Sequence, residues 1–262
     1  MGRTNMRDRV EALRRELLAE LARAEGDGFP LPGFDCETRA DLLISRHIRP
    51  ARHDDAEVDA WIANRRSRPC LSARVIPLDE LQRWGIDPET GNIRHETGRF
   101  FTLTGLKVRH RFEGREIEWD QPIIDQPEVG ILGILAKRID GILHFCLQAK
   151  EEPGNAGGMQ LSPTVQATYS NYSRAHGGAL PPLVGLFISP PEGGVLYAKL
   201  QTEDGGRFLY KSNRNMIVRL DDAVTDEVPD GFIWLTLRQI TRLMGRDNLV
   251  NACARSVLSS LV

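Results

Sequence analysis

Cysteine is scarce in this chain and scattered where it occurs. Its four residues, Cys36, Cys70, Cys146 and Cys253, form no C-x-x-C pair. That spacing excludes a zinc ribbon or a local disulfide framework and suits a reducing cytoplasm. The six histidines are equally dispersed, none at a metal-ligand spacing from another, so no metal is expected. A strong charge of either sign is also missing. The net charge of −2 over 262 residues gives no global field for nucleic acid or an anionic membrane. The longest apolar run, Ile131 to Ala136, is broken by Gly133 and is far too short to span a bilayer. The first sixteen residues are charged throughout and have no apolar h-region, so a secretory leader is not expected.

Several catalytic signatures are absent too. No G-x-G-x-x-G follows a strand, so nothing supports a dinucleotide fold and no cofactor is expected. P-loop, H-E-x-x-H and G-x-S-x-G motifs are missing. Arg115-Glu116-Ile117-Glu118 imitates the core of the box with which Nudix hydrolases hold magnesium. The box needs two adjacent carboxylates just downstream on a helix, where Trp119 and Asp120 stand. It also needs an upstream glycine and glutamate, where Phe100 and Leu106 stand.

What is present is an ordinary globular composition, 41% hydrophobic and 27% charged. From Asn5 to Ala24, Met6, Val10, Leu13, Leu17, Leu18 and Leu21 share one helical face. That helix is expected to dock on the body or on a second subunit. Residues 28–45 are rich in Pro and Gly and are expected to be irregular. A helix is predicted over 54–66, capped by Asp54 or Asp55, and a short one over 78–84. Strands are predicted over 100–110, 115–119, 131–138, 142–150, 197–203 and 215–220. Asp140-Gly141 marks a hairpin turn. Helices return at 237–244 and 247–261, the second capped by Asp247. Helices, then strands, then helices suggest an α+β fold on a largely antiparallel or mixed sheet. Residues 1–57 are read as an N-terminal helical arm and 58–262 as the main domain.

The stretch 148–172, QAKEEPGNAGGMQLSPTVQATYSNY, holds more hydrogen-bonding groups than a packed core is expected to use. Leu161, Val165, Tyr169 and Tyr172 are too regularly spaced for a disordered linker. It reads as a ligand-binding loop. In the strand that enters it, His144, Cys146, Gln148 and Lys150 share one face and Leu143, Phe145, Leu147 and Ala149 the other. Tyr197, Lys199, Gln201 and Glu203 alternate in the same way. Such a face fits a solvated sheet as well as a pocket wall; the polar Gly-containing loop after each strand favours the pocket. Lys150, Glu151 and Glu152 place a cation beside two carboxylates. A Glu there can serve as a base and the Lys can polarise a carbonyl or hold a phosphate, although such triplets also occur on plain surfaces. Arg207 and Arg214, with Asn213 and Asn215, form a donor cluster suited to a diphosphate or to an exposed turn. Trp119, Tyr169 and Tyr172 are residues that can stack on a nucleobase or pack at a rim.

Five ordered motifs carry a family resemblance: WDQPII (119–124), LQAKEEPGN (147–155), LSPTVQATYSNY (161–172), TEDGGRF (202–208) and NRNMIV (213–218). With the tail VNACARSVLSSL, they resemble the NDP-hexose 2,3-dehydratase family from about Val58 onward. The resemblance implies a Nudix-like fold, a mixed sheet with flanking helices, and a dTDP-4-keto-6-deoxyhexose substrate in deoxysugar biosynthesis. Water would leave across carbons 2 and 3, and a separate NADPH-dependent 3-ketoreductase would act on the product. Glu152 would be the base, Lys150 an enolate or phosphate contact, and Tyr172 an acid or ring contact. Trp119, Gln121, Gln148, Asn155, Thr164, Gln166, Thr168, Asn171, Glu203, Arg207, Asn213 and Arg214 would bind substrate. The family carries two copies of this unit in one chain and this sequence has one, which implies a homodimer. Tyr169 stands where the family pattern has a basic residue, and Thr202 and Asp204 where it has Ser and Gln or Glu. Two other readings remain open: a non-catalytic nucleotide-sugar binding subunit, and a divergent Nudix-type pyrophosphohydrolase.

Overall fold

Asp140 and Gly141 reverse the chain between two apolar runs, with φ of 50° and 81°. Two successive left-handed residues are what a type I′ hairpin turn requires. The computed structural model describes residues 3–27, 33–49, 51–172 and 180–261, with side chains left out at 3–5, 171 and 172. The chain begins with α1 (Arg3–Gly26), α2 (Cys36–His47) and α3 (Asp55–Arg66). The strands β1 (Trp84–Ile86), β2 (Ile93–His95), β3 (Thr102–Phe112) and β4 (Arg115–Asp125) follow. Next come β5 (Gly130–Ile139), β6 (Ile142–Lys150), β7 (Gln160–Pro163), β8 (Val165–Ala167), α4 (Tyr169–Tyr172) and α5 (Gly185–Ile188). The last elements are β9 (Val195–Thr202), β10 (Phe208–Leu209), β11 (Ser212–Arg219), β12 (Phe232–Leu235), α6 (Leu237–Met244) and α7 (Ala252–Leu258).

Three local expectations are corrected. Half of the segment expected to be irregular is α2. Asp35 caps it by accepting from Thr38 N at 2.7 Å, and Ala40, Leu42 and Ile44 are buried. The Pro and Gly residues end at Gly33, so they precede the helix and do not interrupt it. The short helix at 78–84 is a single 3₁₀ turn, Leu78–Glu80, because Trp84 already pairs with His95 as a strand. The final helix starts at Ala252, and its cap is Asn251, not Asp247; Asn251 accepts from Ala254 N at 2.8 Å. The start of α3 agrees with expectation, with Asp54 and Glu57 forming a reciprocal capping box.

The strands form two sheets. The larger has the order β12-β6-β5-β11-β9, with β7 added to β6 and β8 to β5. β11 runs parallel to β5 and the other pairs are antiparallel, so the sheet is mixed and the class is α+β. Period-two alternation is buried on both faces. Leu132, Ile134, Leu143, Phe145 and Leu147 pack under α3, α6 and α7. Ile131, Leu135, Cys146, Met216 and Trp234 pack with Phe187 of α5. Cys146 therefore belongs to a second core, and His144 is fully buried, so neither forms a polar face. The N-terminal helices dock on the central hairpin. Arg14, 7% exposed, bonds Asp41 at 2.7 Å and the Gly141 carbonyl at 2.6 Å, and Arg138 reaches the same carboxylate at 2.7 Å.

The smaller sheet, β1-β2-β3-β4-β10, extends as a long two-stranded ribbon. Arg109 pairs with Glu118 and Arg111 with Glu116 across one face. The other face carries Val108 opposite Trp119 and His110 opposite Ile117, with Phe112 beyond them. Phe112, Ile117 and Trp119 are exposed.

His144 gives this fold a pH limit. Its ring is fully buried, Nδ1 donates to the Ile142 carbonyl at 2.7 Å, and Nε2 accepts from Arg52 N at 2.9 Å. Burial pushes its pKa from 6.5 down to about 4, so the neutral ring is the one that fits. The unfolded chain takes up the proton first as pH falls. The stability contribution is complete above pH 6.5 and is lost as pH falls toward about 4. Urea midpoints across that range should fall by the equivalent of about 3 kcal/mol, and His144→Gln should flatten that part of the slope.

Candidate active site

The site is made by a fork in the larger sheet. β5 and β6 pair with each other only between Leu135–Ile139 and Cys146–Ile142. Beyond that, β6 pairs with β7 and β5 with β8. Where the two strands part, a backbone N–H and a carbonyl lose their ladder partners. One hydroxyl meets both: Thr164 Oγ1 accepts from Leu135 N at 3.0 Å and donates to the Cys146 carbonyl. Thr164 is 1% exposed, so this predicted substrate contact sits inside the branch. The polar run is thus not one loop. Gln160, Leu161, Ser162 and Val165 are buried strand residues, because sheet pairing satisfies their backbone groups.

The fork spreads the strand ends around a cleft of about 430 Å³. Lys150, Glu152, Gln166, Thr168, Glu203 and Asn213 line it, six of the residues singled out in the sequence. Glu152 Oε1 lies 3.3 Å from Lys150 Nζ and accepts from Gln166 Nε2 at 3.0 Å. Gln166 Oε1 in turn accepts from Asn251 Nδ2 at 3.3 Å, the same Asn251 that caps α7. On the facing wall Asn213 Nδ2 donates to Glu203. The motif between β6 and β7 is held from both sides. Glu151 accepts from Cys70 N at 2.9 Å and Leu71 N at 2.8 Å, pulling away from Glu152. Asn155 braces the turn through its N to the Glu152 carbonyl at 3.0 Å and Nδ2 to the Lys150 carbonyl at 3.4 Å.

Two cleft residues were not anticipated. Lys211 is 4% exposed and donates to the Glu128 carbonyl. Burial pulls its pKa below the ordinary value, against the opposing charges of Glu128 and Glu203. Burial pushes the Cys253 thiol up to about 11, helped by Glu203 and Glu152, so it stays protonated and inert at neutral pH. Neither residue lies in a periodic pattern that marks a site, so only the fold reveals them.

The other predicted residues lie elsewhere. Gln148 sits between Phe232 and Ser162 in the sheet and is not among the cleft-lining residues. Trp119 donates to Gln121 at 2.9 Å, and Gln121 to the Gly206 carbonyl at 3.1 Å, on the ribbon beside Arg207. Arg214 faces away from Asn213, into a cleft of about 600 Å³ shared with Tyr169 and Phe187. Arg207 and Arg214 therefore do not close on one point. Gly130 borders both clefts; a Cβ there would sit 2.7 Å from Asn213 Oδ1. The backbone of Asn171 and Tyr172 belongs to α4, and their side chains lie outside the described residues. Among the described residues no group of three or more His, Cys, Asp or Glu is placed to hold a metal ion. No described helix is long and apolar enough to cross a membrane.

The family profile of the NDP-hexose 2,3-dehydratases matches residues 55–261. This chain belongs to that family. The dTDP-4-dehydro-6-deoxy-α-D-glucopyranose 2,3-dehydratase of Amycolatopsis orientalis is 51% identical over 211 residues, 78% of this chain and 44% of that protein. The enzyme of the same name from Saccharopolyspora spinosa is 48% identical over 205 residues, 78% of this chain and 42% of its own length. That from Streptomyces violaceoruber is 43% identical, covering 79% and 46%. This family member thus spans less than half the length of the curated relatives it matches. A chain from the complex of the C-terminal domain of mouse MUTYH with human PCNA aligns at TM-score 0.35 and 14% identity, covering 52% of this chain and 87% of that one. A likeness of that degree carries no argument.

Thr164 is the position where the fork is most easily broken. Thr164→Val keeps the shape but strands the Leu135 N–H and the Cys146 carbonyl in the core. It should cost about 2–6 kcal/mol, the sum of two buried unmet groups, while Thr164→Ser costs much less. Denaturant titration of the two variants measures the difference.

Proposed function

We propose that the cleft removes water across carbons 2 and 3 of a dTDP-4-keto-6-deoxyhexose. The observation that carries the reading is the placement of Glu152, held by Lys150 and Gln166, in a cleft of a 2,3-dehydratase family member. The names of the relatives support the dTDP-4-keto-6-deoxy sugar as substrate. The hydrogen on carbon 3 is acidic because the 4-keto group is adjacent. Glu152 takes that proton, the hydroxyl on carbon 2 leaves as water, and the enol formed becomes a 3,4-diketo sugar. Lys150 orients the carboxylate by an ion pair and Gln166 by a hydrogen bond. Asn251 fixes which way the Gln166 amide points. Tyr172 is the proton donor to the leaving group in this scheme.

Glu203, Asn213 and Thr168 hold the sugar hydroxyls from the facing wall. Arg214 binds the diphosphate beyond Gly130, and Arg207, Trp119 and Gln121 contact the substrate from the ribbon. The elimination transfers no hydride, so it needs no nicotinamide; a separate NADPH-dependent reductase consumes the diketo product. The mixed sheet with helices on it supports a Nudix-like fold, and the free cysteines support work in the cytoplasm. The exposed apolar face of the ribbon supports a homodimer. Sedimentation at the mass of one chain would remove the dimer from this scheme.

Glu152→Gln keeps the shape and the Gln166 contact but removes the base. It should lower loss of water from dTDP-4-keto-6-deoxyglucose roughly 100- to 10,000-fold, followed by mass spectrometry, and leave dTDP binding intact. Exchange of the carbon 3 hydrogen with solvent should be lost in parallel. Unchanged exchange would take Glu152 out of the role.

A further inference from the structure

Lys211 enters the cleft from the loop between β10 and β11. Its backbone is held there by Glu203 N, which donates to the Lys211 carbonyl at 2.9 Å. A lysine ammonium has three donors and no acceptor. Among the described residues it hydrogen-bonds one acceptor, the Glu128 carbonyl, while the Glu128 and Glu203 carboxylates attract it from beyond ion-pair contact. The side chain is nonetheless 4% exposed. A buried cation with so few partners is unfavourable by itself. It is a favourable counter-charge for an anion that forms inside the same cleft. Lys150 is differently placed. Its side chain is 27% exposed and its ammonium already lies 3.3 Å from Glu152.

We infer that Lys211 is a catalytic residue that donates a hydrogen bond to the oxygen on carbon 4 of the sugar as that oxygen becomes an enolate. The inference rests on the dehydratase reading above. Glu152 takes the proton from carbon 3. The freed electron pair forms the carbon 3–carbon 4 double bond, and the carbonyl pair moves onto oxygen. Lys211 holds that oxygen and keeps its own proton. When the carbonyl re-forms, the carbon 3–carbon 4 pair shifts to make the carbon 2–carbon 3 double bond, the carbon 2–oxygen bond breaks, and the hydroxide leaves as water with a proton from the acid. The ammonium is fixed before the charge appears, so little reorganisation accompanies the step. This role separates the two lysines: Lys150 positions the base and Lys211 stabilises the product of its action.

The test compares Lys211→Met, Lys211→Gln and Lys211→Arg in the full chain, with dTDP-4-keto-6-deoxyglucose as substrate. Four quantities are read: kcat and KM, carbon 3 hydrogen exchange in deuterium oxide, dTDP affinity by calorimetry, and the thermal midpoint. Lys211→Met should lower kcat and exchange together by about 100- to 1,000-fold and leave KM and dTDP affinity within about three-fold. Lys211→Arg, which keeps a cation, should recover part of the loss. Lys211→Gln keeps a donor for the Glu128 carbonyl, so it stays informative if the Met variant folds poorly. A kcat within about three-fold of the parent overturns the assignment. So does a loss of dTDP affinity equal to the loss of rate, which makes Lys211 a phosphate contact. A fall in rate that merely follows the folded fraction also overturns it, because the lysine is then a structural tie. A parent protein that neither releases water nor exchanges carbon 3 hydrogen sinks the dehydratase reading itself. An active parent with an unaffected Lys211→Met sinks only the role of Lys211.

Discussion

Everything at the site depends on one hydroxyl closing a branch in a sheet. A β-ladder that divides leaves a donor and an acceptor with nowhere to go, and burying them unmet is costly. Thr164 supplies both partners at once, between Leu135 and Cys146. Because the branch is stable, β6 can diverge from β5 and carry Lys150 and Glu152 to the cleft. β8 fills the gap on the other side and brings Gln166 to face them. The cleft is the opening of the fork, so the cleft and the sheet topology have the same cause.

Charge is handled in two contrasting ways. At the hairpin turn, Asp41 is 1% exposed and is met by Arg14 and Arg138, with Arg219 at 3.6 Å. That network is closed within the protein and ties α1 and α2 to the sheet. In the cleft, Lys211 is also buried, at 4% exposed, but one carbonyl is its hydrogen-bond partner and the Glu128 and Glu203 carboxylates stay beyond ion-pair contact. A closed network favours a single packed arrangement, whereas an under-partnered cation suits a bound anionic oxygen. The same low-dielectric interior produces both behaviours; the number of acceptors in reach decides between them.

The regular elements were readable where local signals agreed. Asp140-Gly141 between apolar runs marked the hairpin, and Asp54 with Glu57 marked the start of α3. Alternation marked β6 from Ile142 to Lys150. Reading failed where neighbouring composition misled. The Pro and Gly residues before Asp35 hid α2, and Asp247 drew attention from the true cap at Asn251. Ser162 and Thr164 looked too polar for a core. They are buried because polarity within one strand says nothing about the partners that other strands bring.

The amino-acid order alone was enough to show the α+β class, the family resemblance and the Lys150–Glu152 motif. These rest on periodicity and on residues adjacent in the chain, and such features survive without knowledge of the fold. Only the tertiary structure decided which polar residues share a cleft. It set Glu203 and Asn213 opposite Lys150 and Glu152, turned Arg214 to the far side of β11, and buried Lys211 beside Glu128. Neighbours along a strand point to opposite faces, and the burial that shifts a charged group comes from segments distant in sequence. That is why the motif was legible from its residues and the cation facing it was not.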